Sequence, residues 1–106
     1  MLYLVNCELE GAYPLPAEEW LELVVKGMED IMKYKEQGKV VFHGALVGRQ
    51  AGCTIWDVDS NEELQTLVSQ LPMWPFMEWE ITPLISTEQT IESVKQSLAS
   101  VRALKK

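Results

Sequence analysis

The groups in this chain best placed to move a proton sit on strand-like segments. His43 is the single histidine, in "VVFHGAL". Glu78 and Glu80 alternate with Met77, Trp79 and Ile81, so both carboxylates fall on one strand face. Asn6 and Glu8 do the same in "MLYLVNCELE". A neutral imidazole is a general base or a hydrogen-bond donor. A carboxylate pair on an otherwise apolar sheet has the setting for raised pKa values and acid–base work. The same spacings suit a hydrogen-bonded histidine with no catalytic task and carboxylates facing water. Arg49, in the turn "GRQAG", is placed either to hold a substrate carboxylate or simply to face solvent. Tyr3 and Trp56 are strand aromatics that serve a pocket wall or the core. One histidine and two distant cysteines make no metal-ligand spacing, and no cofactor is implied.

Composition bounds the rest. The 106 residues fit one domain, and 47% hydrophobic content excludes a disordered chain. The net charge of −7 and the scattered bases argue against nucleic acid or an anionic membrane as partner. No apolar run approaches the roughly 18 residues of a membrane span. The start carries acid by Glu8 and no basic leader, so a cytoplasmic chain is expected, with Cys7 and Cys53 as buried free thiols.

The elements that must position these groups follow from periodicity. A first strand covers Leu2 to Leu9, with Tyr3, Val5, Cys7 and Leu9 on one face. Pro16 opens a helix, and Trp20, Val24, Met28 and Ile31 form its apolar stripe, with Leu23 and Gly27 beside them. Gly38 closes it. "KVVFHGALVG" and "GCTIWDV" are two strands around a short Gly-flanked turn, with His43 on the face of Val41, Ala45 and Val47. Ser60 and Glu63 form a capping box for a second helix, stopped by Pro72. "FMEWEITPLI" is the last strand. The order is the α+β, ferredoxin-like β-α-β-β-α-β plan over residues 1–85, in which the first and last strands are neighbours. Residues 86–106 add a C-terminal helical extension, capped by Ser86 or Thr87. Its narrow seam of Ile91, Val94, Leu98 and Val101 suits docking on a neighbour. A four-stranded sheet covered on one face leaves the other for association, most simply a twofold homodimer.

One segment is more specific. "LPMWPFMEWEITPL" resembles the Leu-Pro-x-aromatic-Pro-aromatic-Met-acid segment of muconolactone Δ-isomerases. The resemblance runs from Met1 to about Leu84 and is strongest in the second half. It implies a dimeric α+β barrel, often assembled into rings of dimers. It also implies a cofactor-free double-bond shift in an unsaturated lactone, in aromatic-compound catabolism. Such a shift needs a base, an acid and a stabiliser of the enolate oxygen, here assigned to His43 with Glu80 or Glu78. Pro75 is expected to hold an extended connector from which Trp74 and Phe76 wall a pocket, anchor an interface or fill the core. Asp57 matches the family's Asp before the second helix. The hairpin departs from the family pattern: Phe42, Gly44, Ala45 and Cys53 stand where the isomerases carry polar and aromatic side chains, and His43 is displaced by one position. Three readings follow: a cofactor-free isomerase of a lactone or related oxo acid, a binding or assembly module on the same scaffold, and a cofactor-free monooxygenase-like barrel.

Overall fold

The computed structural model describes residues 1–105. Strand β1 (Leu2–Glu8) is followed by α1 (Ala17–Glu36), β2 (Val40–Ala45), β3 (Ala51–Asp57), α2 (Asn61–Ser69), β4 (Glu78–Leu84) and α3 (Thr87–Leu104). The strands form one sheet in the order β2-β3-β1-β4, all antiparallel neighbours. This is the ferredoxin-like plan, with β1 beside β4 as expected. Pro83 sits on β4, an edge strand, where its missing N–H breaks no ladder bond. Lys106, the last residue of the expected extension, lies outside the described residues.

The alternation of β1 holds. Tyr3 and Val5 are buried, and they face Trp56 and Thr54 of β3 in register. With Trp20, Val40, Val58, Leu64, Val68, Leu71 and Met73 they make the core beneath α1 and α2. Burial of these aliphatic and aromatic groups is the main stabilising term. Among the described residues Thr54 is the buried polar exception. Its hydroxyl donates to the Val5 carbonyl (3.2 Å) and accepts from the Trp56 indole Nε1 (2.8 Å), so no polar group there is left dry.

Helix ends follow their local signals. Gly38 takes φ +78°, the left-handed geometry that ends α1, which a side chain would strain. Ser60 accepts from the Glu63 amide (3.1 Å), while the Glu63 carboxylate accepts from the Asp59 amide (3.1 Å) and from Lys39 Nζ (3.0 Å). These bonds, the Asp59 amide first, hold the Glu63 carboxyl below its ordinary value; the bond to Glu63 raises Lys39. Gly27 of α1 lies against the thioether of Met73, where a Cβ would clash.

Four expectations change. Met28 is 52% exposed and belongs with Leu21, Val25 and Met32 on the outer side of α1, not with the inner stripe. The register of β2 shifts between Val40 and Phe42: a bulge puts Val40 opposite Trp56 and His43 opposite Thr54, and leaves Val41 without a partner. Trp74–Phe76 form a 3₁₀ turn rather than an extended connector, because the Trp74 and Phe76 amides donate back to Leu71 and Met73. Cys7 and Cys53 are free but half-buried rather than buried.

Candidate functional site at the β1–β4 end of the sheet

Cross-strand register brings the acidic groups together. Glu8 is opposite Glu78, and Asn6 is opposite Glu80, across the β1–β4 ladder. On the other side of β1, Glu8 pairs with Ala51 at the start of β3. The hairpin turn is tied down there, since the Leu9 amide donates to the Gln50 carbonyl (2.9 Å). Arg49 therefore reaches Glu8. Its Nε donates to Oε1 and its Nη2 to Oε2, both at 2.7 Å, a bidentate fork.

These groups line a groove of about 440 Å³ with Leu46, Cys7 and Trp79. Opposed carboxylates repel, and the guanidinium offsets one of the three. Burial pushes the Cys7 thiol above its ordinary value, although the Gly52 backbone bond opposes that. Glu78 and Glu80 are exposed on the strand, available to a ligand. Chemically the groove offers carboxylates for proton transfer, one cation and an amide.

His43 is elsewhere. It lies opposite Thr54, on the helix-covered side, and is half-buried on the far edge strand. Three strand spacings separate β2 from β4, roughly 14 Å, and Glu78 and Glu80 belong to the other face. The structure thus joins Glu78, Glu80 and Arg49 but leaves His43 apart. Tyr3 and Trp56 are core residues, 4% and 0% exposed, and the Tyr3 hydroxyl donates to Asn61. Phe76 packs edge-on against Trp20 with centroids 5.9 Å apart. Trp74 stacks on Trp79 at 5.1 Å and accepts its indole N–H at its carbonyl (2.9 Å). Trp74 thus supports the groove through Trp79, which sequence reasoning did not single out. The signal was its place between Glu78 and Glu80. The Arg49–Glu8 pair was also missed, because it depends on the β1–β3 register.

Among the described residues, no group of three or more His, Cys, Asp or Glu could hold a metal ion, and no helix is long and apolar enough to cross a membrane.

Comparison with known proteins agrees on one family. The family model described as muconolactone delta-isomerase matches residues 1–89. A muconolactone Delta-isomerase of Cupriavidus pinatubonensis is 32% identical over 91 residues, covering 86% of this chain and 99% of its own. Muconolactone Delta-isomerase 1 of Acinetobacter lwoffii is 31% identical over 84 residues, covering 79% and 88%. A crystal structure of muconolactone isomerase superposes with a TM-score of 0.73 at 23% identity over 81% of this chain and 90% of that one. The fold is shared further with 5-chloro-2-hydroxyhydroquinone dehydrochlorinase of Burkholderia phenoliruptrix, TM-score 0.66 at 13% identity over 84% and 98% of the two chains. On the family match and the curated relatives together, this chain belongs to the muconolactone delta-isomerase family.

Proposed function

We propose that the chain is a cofactor-free isomerase that shifts a double bond in an unsaturated lactone or related small oxo acid. The observation that carries this is the clustering of Glu78, Glu80, Asn6 and Arg49 in one groove on a scaffold of the isomerase family. In this reading Glu80 takes a proton from carbon, and the electron pair moves onto the carbonyl oxygen. The Asn6 amide, opposite Glu80, donates to that enolate oxygen. Glu80, now protonated, returns that proton at the other end of the conjugated system, so atoms and charge balance, while Glu78 remains a carboxylate beside it. Arg49 attracts the carboxylate of a substrate acid in exchange for Glu8. His43 is left outside the relay.

The exposed Phe42 and the half-buried Leu4 and Ile55 of the uncovered sheet face support a homodimer built face to face, with the groove at its margin. Such dimers can stack into rings. Residues 1–85 form this barrel unit, and the segment beyond is an extension. Two free thiols suit a cytoplasmic setting.

Ultraviolet-monitored turnover of muconolactone by the purified chain tests the activity. Conversion is expected; none at high enzyme concentration contradicts the reading. A second reading, a binding or assembly module, is favoured by one observation: Arg49 is already neutralised by Glu8. Saturable lactone binding without turnover would select it.

A further inference from the structure

Among the described residues, two apolar helix faces are left uncovered. On α1, Leu21, Val25, Met28 and Met32 point outward and are 49–53% exposed. They flank a shallow groove lined also by Glu18, Glu22, Lys26 and Glu29. On α3, Ile91, Val94, Leu98 and Val101 are 45–60% exposed. Every residue of α3 is exposed, so among the described residues nothing covers it. A lone helix of this length is marginal in water. At 1.5 Å per residue the two stripes are about 16 Å and 15 Å long, so they match.

We infer that α3 of one copy of this chain docks antiparallel on the outer face of α1 of a second copy. Charge selects both partner and direction. From Ser93 onward α3 carries Lys95 and Arg102 and no acid, with Lys105 capping its end; its acids, Glu88 and Glu92, are in its first turns. The α1 groove carries Glu18, Glu22 and Glu29, while its one base, Lys26, is held by Asp30 at 2.6 Å. Lys33 and Lys35 lie at the other end of α1. Antiparallel packing sets the basic half of α3 on the acidic groove, and Glu88 and Glu92 beside Lys33 and Lys35. It also opposes the two helix dipoles.

The α3 of the same chain is badly placed for this. It leaves from β4, at one edge of the sheet, and the 68 Å length of the molecule against 30 and 22 Å across shows that it projects from the body with every residue exposed rather than folding back on α1. Only Ile85 and Ser86 separate β4 from α3, a reach of about 7 Å. The family match ends at residue 89, so nearly all of α3 lies beyond it. The contact is an addition to the barrel and does not depend on the proposed activity.

Hydrogen exchange of the full-length chain across a range of protein concentrations tests it. Amides of residues 91–101 gain protection as concentration rises. Lys95→Glu with Arg102→Glu loses it, and so does Glu22→Lys with Glu29→Lys, each raising the apparent dissociation constant at least about tenfold. An equimolar mixture of the two double variants regains protection, because the reversed α3 of one meets the reversed α1 of the other. Three results overturn the proposal: protection of α3 at every concentration, which means docking on its own chain; charge reversals without effect; or a mixture that stays unprotected.

Discussion

Arg49 and Glu8, 41 residues apart in sequence, meet as a two-point pair with both N···O distances at 2.7 Å. The pair joins the β2–β3 turn to the end of β1 and sets a cation beside Glu78 and Glu80. The Arg49 side chain is 58% exposed and that of Glu8 32%, so water screens the attraction.

Arg49→Ala therefore costs little stability, less than about 1 kcal/mol. Its effect is on substrate capture. KM for a carboxylate-bearing lactone rises about tenfold with kcat nearly unchanged, as loss of one ground-state contact requires. A fall in kcat with KM unchanged, read from initial rates, contradicts that role.

Thr54 is the polar hinge of the core. Thr54→Val keeps the shape but leaves the Trp56 indole N–H without its 2.8 Å acceptor in a fully buried site. The expected loss is about 1–3 kcal/mol, visible as a lower midpoint in urea unfolding. An unchanged midpoint means that the indole finds another acceptor.

Glu63 predicts part of the pH dependence. Its folded-state pKa is depressed by the Asp59 amide and Lys39. It therefore stabilises the fold above its unfolded value, about 4.3, and that contribution disappears as pH falls through the folded value. Lys39 is raised by Glu63, so its contribution is present below its unfolded value, about 10.4, and is lost as pH rises through the folded value. Melting temperatures of wild type and Glu63→Gln should converge as the pH is lowered toward 3. Parallel curves from pH 7 to pH 3 contradict this.

Cys7 is a poor nucleophile near neutrality. Burial raises its pKa and so reduces the thiolate fraction. In a Cys53→Ser background, iodoacetamide at pH 8 should label Cys7 several-fold more slowly than glutathione, approaching it only on unfolding. Equal rates in the folded protein are the contrary result.

Much of this architecture was legible. The period of two in β1 and β4 gave their faces, and the Ser60–Glu63 spacing gave the α2 cap. The "LPMWPFMEWE" segment gave the family. What escaped detection depends on long-range packing. "KVVFHG" is apolar in both strand phases, so nothing local marks the bulge that buries Val40 and turns His43 to the helix side. One residue of register decides a face. The 3₁₀ turn at Trp74–Phe76 escaped because Pro75 is compatible with either backbone, and the choice is made by Trp20 and Trp79 packing on Phe76 and Trp74. Met28 reads as inward because α1 is apolar around more than half its circumference. The Glu78–Glu80 face was read correctly, but its partnership with Arg49 needed the β1–β3 register.

The central claim is that proton transfer belongs to the β4 carboxylates and not to the one histidine. Steady-state turnover of muconolactone by Glu80→Gln and His43→Ala, side by side, tests it most directly. Glu80→Gln is expected to lower kcat by about 10²–10⁴, with His43→Ala within about threefold of wild type because His43 lies on the other face. A His43→Ala variant that folds but has lost turnover, beside an active Glu80→Gln, would place the chemistry on the helix side of the sheet and contradict the site described.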